Sequence, residues 1–142
     1  MSAKTETAPP APQRMRPVVG HDNREWWDHI NEGSLTIQKC KECGTLRHPP
    51  RPMCWKCQSL ECEHVPASGK GIVYSFVVIH KPVIPGYEYP LVVAVVELEE
   101  GTRIVSNLVG IASEDVKIGI PVKVSIEQVD DTLKLPLFRP AS

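Results

Sequence analysis

Two Cys-x-x-Cys pairs constrain the fold of this chain more than any other feature of its sequence. Cys40 and Cys43 form the first pair, and Cys54 and Cys57 form the second. Each pair can place two thiolates on one tight turn, and two such turns supply the four ligands of a tetrahedral metal site. Gly44 directly after the first pair suits such a turn, because glycine tolerates left-handed backbone angles. The spacing therefore predicts a metal-bound ribbon built on these four cysteines.

Zinc is the metal expected at this site. Four protein thiolates close the coordination sphere and leave no position for a substrate, which indicates a structural role. Iron uses the same ligands in rubredoxin-like sites, so it stays open as the alternative metal. A pair of disulfides is disfavoured, because the first residues form no apolar signal region that would direct the chain to an oxidising compartment. Cys62 is left over and is interpreted as a small buried residue.

Length and composition limit the remaining choices. The chain has 142 residues, of which 42% are hydrophobic, enough for one domain or for a small metal module plus one compact domain. The formal net charge is -1, so no global electrostatic attraction to nucleic acid or to an anionic membrane is expected. No apolar run approaches the length of a transmembrane helix. These observations predict a cytoplasmic protein without a membrane partner.

The first 34 residues predict an arm followed by a short helix. Residues 1–20 contain four prolines and few large apolar side chains, so they are expected to form a flexible arm. Residues 21–34 then contain a helix that Asp22 is expected to cap and Gly33 to end. Trp26 and Trp27 lie on this helix. They either pack on the chain's own ribbon or form a docking face for a partner, and the sequence leaves both readings open.

The rest of the chain is predicted to be β-structure. The ribbon occupies residues 35–65, and residues 66–142 contain strand patterns rich in β-branched residues. Five or so strands with one irregular connection suit a small Greek-key barrel of the OB type, with a generic sandwich as the alternative. The predicted fold class is therefore mainly β. It consists of a short N-terminal helix, a rubredoxin-like zinc ribbon and a C-terminal five-stranded OB-fold barrel.

An ordered series of short motifs supports a more specific assignment. The motifs are Glu25-Trp-Trp, Gln38-Lys-Cys40-Lys-Glu-Cys43-Gly, Pro49-Pro-Arg-Pro-Met-Cys54, Ser68-Gly-Lys-Gly-Ile-Val-Tyr-Ser75, Val95-Val-Glu-Leu-Glu-Glu-Gly101, Ile118-Gly-Ile-Pro-Val122 and Leu135-Pro-Leu-Phe-Arg-Pro140. In this order, from about Asp22 to Pro140, the chain resembles the acyl-CoA-associated zinc-ribbon/OB-fold proteins, known as domain-of-unknown-function family thirty-five. It departs from them at Trp55, where the family often has proline, at Lys70, where arginine is frequent, and near Val77, where threonine is usual.

The resemblance implies a function that composition does not. Members of the family look like non-catalytic partners of thiolase-like enzymes, including thiolases and retro-aldolases that shorten steroid side chains. By this analogy the chain is an accessory subunit of a thiolase-superfamily complex, expected as a heterotetramer that shares a CoA thioester ligand. Degradation of steroids, aromatic compounds or fatty acids all stay open.

No catalytic residue is predicted within the chain. The sequence contains no nucleophile–base pair in a recognisable local context, so the partner is expected to supply the catalytic groups. A proline-rich loop at 82–90, with Tyr87 and Tyr89, is expected to form a rim over the pantetheine arm of CoA. The candidate contacts to the CoA phosphates are four basic residues: Lys39, Arg47, Arg51 and Lys70.

A nucleic-acid-binding module is the alternative function, since zinc ribbons and OB barrels both recur in such proteins. Tyr74 and Phe76 are two residues apart, so on a regular strand they would share a face on which bases could stack. The charge pattern argues against this alternative. Residues 72–110 contain two basic side chains against four glutamates, whereas a single-strand groove needs a positive track.

Overall fold

The computed structural model describes residues 14–141 and divides their strands between two antiparallel sheets. The predicted arm falls largely on residues 1–13, which lie outside the described residues. The elements are α1 (Arg24–Asn31), β1 (Thr36–Cys40), β2 (Leu46–Arg47), β3 (Cys62–Pro66), β4 (Lys70–Ile79), β5 (Leu91–Leu98), β6 (Arg103–Asn107), a 3₁₀ turn (Ser113–Asp115), β7 (Pro121–Gln128) and β8 (Lys134–Pro140). α1 is too short to span a membrane, and no other α-helix is found among residues 14–141.

The smaller sheet is the ribbon, in the order β2-β1-β3. β1 is its central strand, so Gln38 lies between Arg47 on one side and His64 on the other. On the same strand Cys40 is paired with Cys62. Gln38, which is paired with Arg47, and Cys40 are two residues apart on β1, so they lie on the same face of the ribbon sheet.

The larger sheet is a five-stranded barrel in the order β6-β5-β4-β7-β8. A single bridge between Leu108 and Phe138 brings the two outer strands together, so the sheet closes on itself. β5 shows which side chains point into the barrel, because its buried side chains alternate strictly with half-exposed ones. Val73, Val96 and Phe138 fill the interior. The predicted OB-type barrel is confirmed, and the described strands β4 to β8 form one sheet rather than the alternative sandwich of two facing sheets.

A bulge in β4 changes which side chains share a face. The register with β5 shifts between Val73 and Ser75, so Tyr74 is an extra residue in the strand. Tyr74 is exposed, whereas Phe76 is half-buried and packs against the core. The prediction that Tyr74 and Phe76 share one face is therefore wrong, because the bulge inserts one residue into the period-two alternation.

Helix α1 joins the two sheets. Trp26 and Ile30 are buried, and the indole Nε1 of Trp26 donates to the backbone oxygen of Thr36 at 2.9 Å. One hydrophobic cluster contains residues of α1, of the ribbon and of the barrel. At the end of the helix, Lys134 of β8 donates from Nζ to the backbone oxygen of Asn31 at 3.1 Å. Trp26 thus packs within the chain itself, while Trp27 is half-buried beside it.

The sequence predicts the C-terminal end of α1 correctly but not its N-terminal cap. The helix begins at Arg24 with Asn23 at the N-cap position, so the prediction that Asp22 caps it is wrong. The Asn23 side chain is used on the preceding segment instead: it accepts from the Gly20 amide at 2.8 Å and donates to the Val18 oxygen at 3.0 Å. Gly33 ends the helix as predicted, with φ of 87°.

Arg14 and Arg16, at the start of the described residues, contact the barrel. The guanidinium of Arg16 donates to both carboxylate oxygens of Asp130, at 3.0 and 2.8 Å, and to Thr132 at 2.9 Å. The guanidinium of Arg14 lies over the ring of Tyr87 at 4.7 Å from its centroid. This part of the predicted arm is therefore held by charged and aromatic contacts with the barrel.

Candidate metal centre and adjoining groove

The four cysteines of the two Cys-x-x-Cys pairs converge on one point. Their sulfur atoms all lie within 4.8 Å of one another. Sγ of Cys40 is 3.5 Å from that of Cys57, and Sγ of Cys43 is 3.6 Å from that of Cys54. Zinc–sulfur bonds of about 2.3 Å in a tetrahedron require sulfur atoms about 3.8 Å apart. The arrangement therefore fits a four-thiolate metal ion, as the spacing predicts.

The two turns that hold these cysteines have the same backbone geometry. In the first, the Gly44 amide donates to the Cys40 oxygen at 3.0 Å; in the second, the Gln58 amide donates to the Cys54 oxygen at 2.9 Å. Gly44 has φ of 75° and Gln58 has φ of 64°. Gln58 is the one non-glycine residue with positive φ within residues 14–141. Its position, four residues after Cys54, matches that of Gly44 after Cys40, which is the signal that sequence analysis missed.

Backbone amides inside the turns favour the thiolate form of the first cysteine of each pair. The amide of Cys57 lowers the pKa of Cys54 to about 6, with further lowering by the amide of Lys56 and opposition from burial. The amide of Cys43 lowers the pKa of Cys40 in the same way. For Cys57 the amide of Ser59 lowers the pKa, but burial and the three neighbouring thiols raise it to about 12. A metal ion binds thiolates and so competes directly with these protons.

Cys62 is separate from the four clustered sulfur atoms. It is half-buried, and its Sγ accepts a hydrogen bond from Nε2 of Gln38 at 3.2 Å. The other end of the Gln38 amide, Oε1, accepts from Nε of Arg47 at 2.6 Å and from the Arg51 amide at 2.8 Å. Gln38 is buried and connects the ribbon strands to the loop before the second cysteine pair. Sequence reasoning gave Gln38 no role, since a lone glutamine carries no functional signal.

An open groove of about 670 Å³ lies beside the metal centre, between the ribbon and the turn that joins β5 to β6. Its lining includes three arginines and a tryptophan among apolar and small residues: Leu46, Arg47, His48, Pro49, Arg51, Pro52, Met53, Trp55, Gly101, Thr102 and Arg103. Two of the four predicted phosphate contacts, Arg47 and Arg51, thus line one groove. The other two are elsewhere: Lys39 is on β1 opposite Leu46 and Glu63, and Lys70 lines a different hollow on the barrel.

Arg47 is buried and is held by neutral groups. Its Nε bonds to Gln38, and its Nη2 donates to the backbone oxygen of Arg51 at 3.2 Å. Nη1 is buried without a hydrogen-bond partner, and Arg47 takes no part in an ion pair within residues 14–141. Burying a charge is costly unless it is paired. The groove therefore presents a guanidinium whose charge no side chain of the described residues neutralises.

His48 lies between the groove and helix α1. Its ring is 5.2 Å from that of Trp26, centroid to centroid. Burial lowers the pKa of His48 to about 4, so the ring is neutral at physiological pH. His48 consequently adds polar atoms but no positive charge to the groove.

The predicted rim loop lies far from the groove. Residues 82–90 follow β4 and precede β5, whereas the groove is at the opposite end of β5, beyond Leu98. Eight residues of β-strand span roughly 25 Å. Within the loop, the Tyr89 hydroxyl accepts from the Ile84 amide at 3.0 Å, and Arg14 covers the ring of Tyr87. The structure therefore does not bring the two predicted parts of a CoA site together.

Two family models match consecutive parts of the chain. The rubredoxin-like zinc ribbon domain of ChsH2 matches residues 27–63, and the C-terminal OB-fold domain of ChsH2 matches residues 64–127. Among solved structures, the chain is similar to one titled Ltp2-ChsH2(DUF35) aldolase, with a TM-score of 0.87 and 49% identity over 89% of this chain and 100% of that one. The two family models and this solved structure thus cover both the ribbon and the barrel.

Relatives of known name fall into several classes. A probable enoyl-CoA hydratase alpha subunit of Thermomonospora curvata is 48% identical over 97% of this chain, which spans 44% of that protein's length. A DUF35 domain-containing scaffold protein of Methanocaldococcus jannaschii is 40% identical, over 74% of this chain and 77% of that protein. The benzoylsuccinyl-CoA thiolase subunit BbsA of Geobacter metallireducens is 40% identical over 51% of this chain, which corresponds to 48% of the length of that protein. The chain therefore belongs to the DUF35 family of proteins that combine a ChsH2-type zinc ribbon with an OB fold.

Proposed function

We propose that the chain is a non-catalytic, zinc-binding accessory subunit of a thiolase-superfamily complex that acts on acyl-CoA substrates. One observation supports this most directly: the solved relative that matches the whole fold is described as part of an aldolase with two named components. The Geobacter relative is named as a thiolase subunit and the Thermomonospora relative as an alpha subunit. The chain spans less than half of the length of the Thermomonospora protein.

The four-thiolate centre supports a structural rather than a catalytic metal. All four ligand positions are occupied by cysteine sulfur, which leaves no site for water or substrate on the ion. The remaining thiol, Cys62, bonds to the amide of Gln38 rather than to a base. A nucleophilic thiolate needs a neighbouring base or cation to activate it. The carbon–carbon chemistry is therefore assigned to the partner.

The outer face of the barrel supports the presence of a protein partner. Val77 on β4 and Val105 on β6 are 57% and 67% exposed, and they flank Val93 and Val95 of β5 through the cross-strand pairing. Ile72 and Tyr74 extend this apolar surface along β4. Exposed apolar surface that runs across several strands is typical of interaction sites. We assign this face to contact with the thiolase-like subunit.

The basic groove supports a CoA thioester as the shared ligand. Arg47 and Arg51 are the two predicted phosphate contacts that lie together, and an anion would neutralise the buried guanidinium of Arg47. Lys39 and Lys70 lie outside the groove, so we do not assign them to the phosphates of CoA. The nucleic-acid alternative loses its stacking platform, because Phe76 packs against the core and Arg103 covers the ring of Tyr74 at 3.7 Å.

The test is a tagged pull-down from the native host followed by native mass spectrometry. We expect a stoichiometric complex with a thiolase-like protein, as a heterotetramer. Val77→Lys combined with Val105→Lys should reduce its yield at least tenfold while the variant keeps its metal. Leu60→Lys is the control, because Leu60 is 67% exposed in the ribbon, between the second cysteine pair and β3. Recovery of a metal-loaded monomer without such a partner would overturn the proposal.

A further inference from the structure

The groove beside the metal centre combines two features that suit a nucleotide. Arg47 and Arg51 from the ribbon and Arg103 from the barrel give it three guanidiniums. Trp55, inside the second cysteine pair, is 75% exposed and belongs to the same lining. Phosphate groups bind arginine through paired hydrogen bonds, and nucleobases stack on flat aromatic side chains. The lining thus offers complementary groups for both ends of a nucleotide.

The exposed indole of Trp55 is not part of the hydrophobic core formed by the described residues. Trp55 lies outside the hydrophobic cluster that joins helix, ribbon and barrel. Its neighbours Cys54 and Cys57 are already positioned by backbone hydrogen bonds of the turn. Leaving so large an apolar ring in water forgoes the burial that tryptophan normally gains. A ligand that covers the ring would recover this apolar contact.

The guanidiniums differ in how much charge they can offer. The charge of Arg103 is offset, since its Nε is 3.1 Å from Oε2 of Glu97 and its plane lies on Tyr74. Arg47 has neutral neighbours and a buried, unpartnered Nη1. Arg51 is exposed at the mouth, and its backbone oxygen accepts from Arg47. Arg51 is consequently the guanidinium that a ligand meets first, and the buried charge of Arg47 lies behind it.

We infer that this groove binds the nucleotide end of CoA, with the purine stacked on Trp55 and the ribose phosphate held by Arg47 and Arg51. The inference rests on the proposed function, because it identifies which part of the acyl-CoA this subunit holds. It extends that function to a residue, Trp55, at which this chain departs from its family. Both groups belong to this chain, so the nucleotide end should bind in the absence of the catalytic partner.

The test is isothermal titration calorimetry on the full metal-loaded chain with adenosine 3′,5′-bisphosphate as the probe. We expect saturable binding that weakens about tenfold or more in Trp55→Ala and in Arg51→Gln, because the first removes the stacking surface and the second removes a charged hydrogen bond. Trp55→Phe should retain most of the affinity. Lys70→Gln is the matched charge control and should bind normally, since Lys70 lies outside the groove.

Two further ligands separate the sources of a nucleotide. ATP should bind more weakly than the 3′,5′-bisphosphate, and a single-stranded oligonucleotide should not compete with it. Equal affinity for ATP would overturn the assignment to CoA, and tighter oligonucleotide binding would favour nucleic acid instead. Absence of saturable binding, or binding that Trp55→Ala leaves unchanged, would also overturn the inference. None of these results depends on recovery of a thiolase-like partner, so the proposed function is tested separately.

Discussion

At the scale of single residues, the two cysteine turns provide an internal comparison. They have the same hydrogen bonds, but one has glycine and the other glutamine at the position with positive φ. A residue with a Cβ costs roughly 1–2 kcal/mol in the left-handed region, whereas glycine does not. The second turn therefore contains strain that the first avoids.

We expect Gln58→Gly to raise the free energy of unfolding by about 1 kcal/mol, because it relieves this strain. Gly44→Ala should lower it by a similar amount through φ alone, since the nearest atom to an added Cβ is Lys39 Cε at 3.9 Å. Denaturant unfolding of the metal-loaded proteins measures both. If Gln58→Gly destabilises the chain, the two turns are not equivalent and the comparison fails.

At the scale of elements, helix α1 is the link between ribbon and barrel, and Trp26 is its main contact. Trp26→Ala should lower the free energy of unfolding by about 3–5 kcal/mol, as for other buried aromatic residues. Trp26→Phe retains a ring but removes the hydrogen bond to Thr36, so it should cost about 1–3 kcal/mol.

Thermal and denaturant unfolding measure these effects, with Trp27→Phe as the control because Trp27 is only half-buried. Equal stability of the Trp26 and Trp27 variants would show that Trp26 does not anchor the helix. The comparison also addresses the alternative of a partner-docking helix, for which both tryptophans would need to be accessible.

Elements whose formation depends on local pattern were predictable from the sequence. Strand β5 alternates along its whole length, and Gly33 marks the end of α1. The bulge at Tyr74 was not predictable, because it depends on pairing with a strand twenty residues away. The N-cap was assigned one residue too early for a similar reason. The Asn23 side chain bonds to Gly20 and Val18, a local alternative that the capping pattern does not reveal.

In the candidate site too, features set by local sequence were predictable, whereas features that depend on contacts between distant segments were not. The metal ligands can be identified from the Cys-x-x-Cys spacing, because each pair places two sulfur atoms on one tight turn. The groove does not, because it forms only when the turn at Gly101 approaches the ribbon. For this reason Arg47 and Arg51 could be grouped from sequence, whereas only the fold shows that Arg103 lines the same groove and that Lys70 lines a different hollow.

At the scale of the whole molecule, the ribbon that carries the four cysteines shares its hydrophobic core with the barrel. One hydrophobic cluster contains Trp26, Ile37 and Phe138, which belong to helix, ribbon and barrel. Structural zinc contributes roughly 10–16 kcal/mol to folding of small zinc peptides. Loss of the metal should therefore destabilise the barrel as well as the ribbon.

We expect Cys40→Ser to lose the bound metal and to lower the melting temperature of the entire chain in one transition. Cys62→Ser is the matched control and should keep one metal ion, because Cys62 lies outside the four-sulfur cluster. Metal analysis and calorimetric unfolding measure the two properties. A Cys40→Ser protein with unchanged metal content would contradict the site, and an unaffected barrel transition would contradict the shared core.

The position of Gln38 has a consequence for how this family can diversify. Its single amide contacts Cys62, Arg47 and the backbone at Arg51, so a change at position 38 affects three contacts at once. A substitution at 38 that removes the acceptor leaves Arg47 without its shortest hydrogen bond. Among related sequences we therefore expect residues 38 and 47 to change together, as a covarying pair.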